Sequence, residues 1–146
     1  REKTKWKIVS VNSEETESNN HARSAIDGDP ATFWHSEWMR SNPGYPHELV
    51  IDLGETLQIA GFTYLPRQDG KDGGLVAQYE FYLSDDPNNW GTALAKGEFA
   101  NILNNPVKQR ILLKKPQTGR YIRFVALASP NDKPWAGAAE IDVIEE

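Results

Sequence analysis

Apolar residues in this chain come in short runs divided by Gly, Pro, Asn and Asp, and several runs alternate with polar residues. Leu49, Ile51 and Leu53 share one face of a strand, with Glu48, Val50 and Asp52 on the other. Further along, Ile122, Phe124 and Ala126 point the same way. A side-chain period of two marks a half-buried strand. Strands are expected over residues 6–11, 49–53, 59–65, 79–84, 110–113, 121–128 and 141–144. Helical periodicity is confined to one turn at 22–26. A parallel βαβ sheet needs a helical pattern of about 10–15 residues between strands, and none is present. The pattern therefore predicts an all-β sandwich or barrel whose function sits on loops. The long loops are 12–47, 68–74, 85–91 and 129–137.

Composition narrows the classes of function. At 146 residues the chain is the size of one domain, and it has no cysteine, so neither disulfides nor thiolate metal sites arise. Absence of cysteine leaves the compartment open. A formal net charge of −5 disfavours nucleic acid and anionic lipid, which call for a basic face. No apolar stretch approaches the roughly 20 residues of a membrane span. The first residues show no apolar run and no initiator Met, which is the expectation for an excised domain or a processed chain.

Residues 25–38, AIDGDPATFWHSEW, combine two kinds of chemistry. Asp27 and Asp29 flank Gly28, and Thr32 adds a hydroxyl and a carbonyl. Calcium takes about six to eight hard oxygens from such groups. An EF-hand is excluded, because its Gly position is Thr32 and its closing Glu position is Trp38. The competing reading is an ordinary Asp-Gly turn before proline. At the other end, Phe33 and Trp34 sit together and at least one must be core, and His35, Glu37 and Trp38 follow. His35 is open to a structural role or a ligand contact; His21 and His47 offer it no metal-site spacing.

Three other residues stand out. Arg67 lies where a strand gives way to a Gly-rich loop and could serve a surface ion pair or a ligand. Trp135 lies among turn formers with little apolar sequence nearby, so it is expected to be exposed. Trp90 is expected to fold under its turn as core.

The segments AIDGDPATFWHSEW, ELVIDLG, GFTYLPRQDG, YEFYLSDDPNNW, RYIRFVAL and AAEIDV, in that order, resemble a coagulation factor 5/8 type C (discoidin-like) domain. More narrowly, the chain resembles the family 32 carbohydrate-binding modules attached to bacterial glycoside hydrolases and sialidases. The resemblance runs from Trp6 to Val143. It implies a galactose-binding-domain-like jelly-roll β-sandwich of about eight antiparallel strands. Residues 1–146 are then one non-catalytic module, cut from a larger multidomain glycoside hydrolase that is secreted, periplasmic or on a bacterial cell surface. The implied partners are a glycan and the covalently linked catalytic domain. Nucleic acid and membrane insertion are not implied, and the module is expected to be monomeric.

The resemblance also implies a structural Ca²⁺ beside the sugar site. Asp27 and Glu140 would give carboxylates, Thr32 its hydroxyl and carbonyl, and Ser24, Asp29 and Ala139 main-chain carbonyls. His35, Arg67, Trp38 and Trp135 fall where galactose-binding members contact sugar, with Glu17, or Asn19 behind it, as the upstream polar contact. Trp135 stands where other members carry tyrosine or phenylalanine. An aromatic ring covers the C–H face of a pyranose, while arginine and histidine are expected to donate to an axial hydroxyl. So shallow a site implies an affinity near ~0.1–1 mM, about −4 to −5.5 kcal/mol.

Other classes remain. A small glycosidase would use Glu14, Glu15, Glu17 or Glu37 as an acid pair, which requires carboxylates roughly 5–5.5 Å or 6.5–9.5 Å apart. An adhesion or lipid-binding discoidin domain would show apolar spikes and basic residues. Other sugars, N-acetylglucosamine among them, are also open.

Overall fold

The computed structural model describes residues 2–146. Among these are eight strands: β1 Lys7–Val11, β2 Trp34–His35, β3 His47–Leu65, β4 Gln78–Ser84, β5 Ala95–Glu98, β6 Gln109–Ala128, β7 Gly137–Ala138 and β8 Glu140–Glu145. The 22–26 turn is present as a 3₁₀ turn, Ala22–Ile26. Every strand pairing is antiparallel.

The two long strands each join two segments expected separately. β3 and β6 pair in register from His47↔Ala126 to Asp52↔Tyr121, lose it, and resume at Leu57↔Gly119. The break falls at Gly54, whose φ of +79° suits glycine. Each strand thereby has two arms. One layer runs β1, the first arm of β3, the second arm of β6, β4 and β5. The other pairs the second arm of β3 with β8 and with the first arm of β6.

Side chains from the two layers fill the space between them. Phe62, on the second arm of β3, stacks on Phe81 of β4 at 4.3 Å between ring centroids. Tyr64 stacks on Phe124 at 5.6 Å. The alternation seen in the sequence holds: Leu49, Ile51, Leu53, Ile122, Phe124 and Ala126 are all fully buried. Val50, on the opposite face, is buried as well.

One strand was not anticipated, and one expectation is corrected. β5, with Lys96, Gly97 and Glu98, carries no apolar alternation and is an exposed edge held by its ladder to β4. Trp90 is not core. It is half-buried on the outside of the sheet, where the Arg123 guanidinium lies 5.4 Å from its ring and 4.0 Å from that of Tyr82.

Candidate functional site

Loops 12–47, 68–74 and 129–137 meet at one end of the sandwich and enclose a cleft of about 920 Å³. His35, Arg67, Trp38 and Trp135 all line it. Loop 85–91 contributes nothing to the lining.

His35 is carried by the short β2–β7 ladder, opposite Gly137. The Ser36 carbonyl lies 2.6 Å from its Nδ1, and a carbonyl only accepts, so Nδ1 carries the proton. Burial pushes the imidazole below its ordinary pKa and keeps it neutral. Nε2 is therefore an acceptor, not the donor expected. Gly74 keeps that nitrogen open: a Cβ there would stand 3.0 Å from Nε2, and φ is +86°.

Arg67 is placed by three bonds. Nε and Nη2 grip the Asp69 carboxylate at 2.8 and 2.7 Å, and Nη1 donates to the Gly73 carbonyl at 2.7 Å. Its guanidinium also lies 4.3 Å from the Phe33 ring centroid. The ion pair holds the Asp69 carboxyl below the usual carboxylate range. Ion pairing and cleft lining, posed as alternatives for Arg67, coexist, because the guanidinium has about five N–H donors and three are used.

Trp135 is half-buried, against the expectation of exposure. Its ring lies 5.9 Å from that of His35 and its Nε1 donates to Asn42 Oδ1. The backbone behind it is pinned at both ends of a dipeptide: Tyr45 donates its hydroxyl to the Trp135 carbonyl, and His47 Nε2 bonds the Pro134 carbonyl at 2.7 Å. Trp38 is 45% exposed and also lines the cleft.

Glu17 is corrected. It does not line the cleft but pairs with Arg40 at 2.8 Å. The Glu15↔Asn20 bridge closes a tight turn with Asn19 at φ 62°, which brings Ser18 and Asn20 to the cleft instead. Asn19 is not part of the lining either.

Glu15, offered as a glycosidase acid, is a buried brace. Its carboxylate accepts the amides of Trp38 at 3.0 Å, Met39 at 2.8 Å and Glu17 at 2.9 Å. Burial opposes its charge, yet the three amides and His35 hold its pKa below the ordinary value. Glu14 caps the 3₁₀ turn at the Ala22 amide, 2.7 Å away. None of Glu14, Glu15, Glu17 and Glu37 lines the cleft.

The second cluster lies beyond the 3₁₀ turn. Thr32 Oγ1 donates to Asp27, the Asp29 amide donates to Asp27 Oδ1 at 2.9 Å, and Asp29 Oδ1 accepts the Ala31 amide. Glu140, at the start of β8, is salt-bridged through Oε2 to Lys3, while its Oε1 is buried with no partner. Burial and the neighbouring Asp27 carboxylate push Glu140 up to about 7, against the pull of Lys3. Ser24 lies in the 3₁₀ turn and Ala139 immediately precedes β8. No group of three or more His, Asp or Glu side chains converges as a metal site among the described residues. A cation there would need the main-chain carbonyls as well. With an orphaned buried carboxylate oxygen beside a second carboxylate and a hydroxyl, the donor set is all hard oxygen and fits calcium.

A β-sandwich with an aromatic and polar cleft among its end loops is a class of binding domain. Residues 9–141 match the F5/8 type C domain, and the chain belongs to that family. Its fold is that of the family 32 carbohydrate-binding modules. One such module of Clostridium perfringens, solved with GalNAc-beta-1,3-galactose, superimposes with a TM-score of 0.85 at 27% identity, covering 98% of this chain and 97% of the other. The module of the C. perfringens protein NanJ, solved with galactose, gives 0.81 at 26% identity, covering 97% and 95%. Over 144 residues the chain is 39% identical to a sialidase of Micromonospora viridifaciens, covering 97% of this chain and 22% of that protein. Over 136 residues it is 36% identical to a galactose oxidase of Gibberella zeae, covering 92% and 19%. The chain thus spans about a fifth of the length of these relatives.

Proposed function

We propose that this domain is a non-catalytic module that holds a terminal galactose or N-acetylgalactosamine, and that it brings a covalently attached glycoside hydrolase to glycans outside the cytoplasm. One observation carries the reading: a neutral imidazole acceptor, His35 Nε2, shares a cleft with the unused N–H donors of Arg67. A hydroxyl is the group that donates to one and accepts from the other. Trp135 and Trp38 supply ring faces for the apolar side of the sugar. The galactose bound by the NanJ module of C. perfringens supports the choice of sugar. In the same reading, Asp27, Thr32 and Glu140, with the carbonyls of Ser24, Asp29 and Ala139, hold a structural Ca²⁺ that ties the 27–32 loop to β8.

Titration calorimetry with galactose and glucose tests the sugar. Glucose turns its 4-hydroxyl equatorial and leaves both groups poorly met, at a cost of about 1.5–3 kcal/mol for a charged hydrogen bond. Galactose should bind more than tenfold tighter, and His35→Ala should erase the difference. Equal binding by the wild-type domain overturns the assignment, and strong N-acetylglucosamine binding replaces it with that sugar.

A further inference from the structure

The cleft extends past His35 and Arg67 onto the 69–73 loop, and its chemistry there is lopsided. Three cations line it, Arg67, Lys71 and Lys133, against two carboxylates, Asp69 and Asp72. Both carboxylates are engaged: Asp69 by Arg67, and Asp72 by Lys133 at 2.7 Å. Lys71 has only its backbone amide tied down, to Asp69 Oδ1 at 3.2 Å, and its ammonium has no partner among the described residues. One positive charge is therefore left over, in a chain whose net charge is −5.

Most of the free donors in this part of the cleft are cationic. Two N–H groups of Arg67 and two of Lys133 are uncommitted, as are the whole Lys71 ammonium and the Trp38 indole N–H. On the acceptor side, His35 Nε2 is joined by the Ser18 hydroxyl oxygen, whose proton goes to Asn20 Oδ1, and by the remaining lone pairs of the Asp69 and Asp72 carboxylates. A neutral sugar brings donors and acceptors in similar numbers. An ionised sulfate or carboxylate brings acceptors alone. The unbalanced positive charge, carried by free cationic donors, calls for that second kind of group.

We propose that the 69–73 side of the cleft, through Lys71 and Lys133, takes an anionic substituent, a sulfate or a carboxylate, on the glycan whose terminal sugar sits at His35 and Arg67. The inference rests on the sugar-site reading above and adds the chemical class of the group next to it. Lys133 is already held in place by Asp72 and lies 5.8 Å from the Trp135 ring, so it stands beside the sugar platform rather than waving in solvent. Lys71 is the exposed partner that supplies the unbalanced charge.

Calorimetry at low and at high salt separates the possibilities. The probes are galactose, galactose 6-sulfate and a galactoside carrying a uronic acid. At low salt the anionic ligands should bind about fivefold tighter than galactose or better, the scale of one or two solvent-exposed ion pairs. The advantage should shrink in high salt, as screening demands. In Lys71→Gln and in the Lys71→Gln, Lys133→Gln double variant, the ratio of anionic to neutral affinity should fall toward one. The sulfate and uronate arms show which anion is preferred. Galactose binding with no gain for either anion overturns this inference and leaves the sugar site standing. A gain that survives both variants also overturns it, because the anion is then read elsewhere. No binding of any probe overturns both readings.

Discussion

At one end of residues 27–38, Asp27 faces the half-buried Glu140 with Lys3 as the nearby cation, and the buried Glu140 Oε1 has no partner. At the other end, His35, Arg67 and the loop that carries Trp38 each rest on completed hydrogen bonds. The two regions share one loop but use opposite strategies. The cleft spends buried polar groups on holding side chains still and leaves donors for a ligand. The acidic cluster meets its charge only in part, with Lys3 on one Glu140 oxygen and nothing on the other, and the proposed calcium would supply the rest, since an unsatisfied buried carboxylate oxygen is costly. Position in the loop does not mark the difference; what lies behind each residue does.

The largest expected effect strikes the cleft side. Glu15→Ala strands three backbone amides in the interior and should lower stability by about 2–4 kcal/mol, measured by urea unfolding. It should also weaken galactose binding, because the Trp38 and Met39 amides lose their common acceptor. Unchanged stability would show that Glu15 is no brace, and the contrast between the regions would fail.

Chelation comes next and strikes the other side. An ion bound only to the native state stabilises by roughly 2.7 kcal/mol at a hundredfold excess over its Kd. Thermal melts in excess chelator should fall well below those in calcium. Superimposable curves, with no metal found by elemental analysis, would remove calcium from the acidic cluster.

Acid should then separate the regions by sign. His35 and His47 are depressed below their ordinary value of 6.5 by burial, so the stability they confer is full above that pH and is lost as pH falls through their folded values. Glu140, raised from 4.5 to about 7, does the reverse in chelator: its contribution is full below 4.5 and fades as pH rises toward 7. Calcium should cancel the second slope and leave the first. Melting temperatures across pH 4.5–7.5, with and without calcium, check this; identical profiles in both buffers would break the distinction.

Much of the fold was legible because period-two alternation reports which face of a strand is buried, as at Leu49, Ile51 and Leu53. It cannot report that 49–53 and 59–65 are one bent strand, because the joint at Gly54 is a matter of register with β6. β5 was invisible, since an exposed edge needs no apolar pattern. In the cleft, His35, Arg67, Trp38 and Trp135 announced themselves by residue type and by family resemblance. Glu17 lies outside the cleft because the tight turn closed by the Glu15↔Asn20 bridge, with Asn19 at φ 62°, brings Ser18 and Asn20 to the lining, and sequence spacing does not report that geometry. Glu15 could not be told from its acidic neighbours, since its role depends on amides more than twenty residues away.

The smallest effect is also the most selective probe of the cleft. In the proposed site Trp135 offers the sugar a ring face, and its own indole N–H is already committed to Asn42. A ring face covers C–H groups that galactose and glucose share, so it carries little information about the epimer. Trp135→Ala should therefore weaken both sugars alike, by about 0.5–1.5 kcal/mol, while the ratio between them stays where His35 and Arg67 set it. Calorimetry on the variant reads both quantities at once. A collapse of the ratio would mean that Trp135 acts by holding His35, whose ring lies 5.9 Å away, and that the platform and the hydroxyl reader are one unit rather than two.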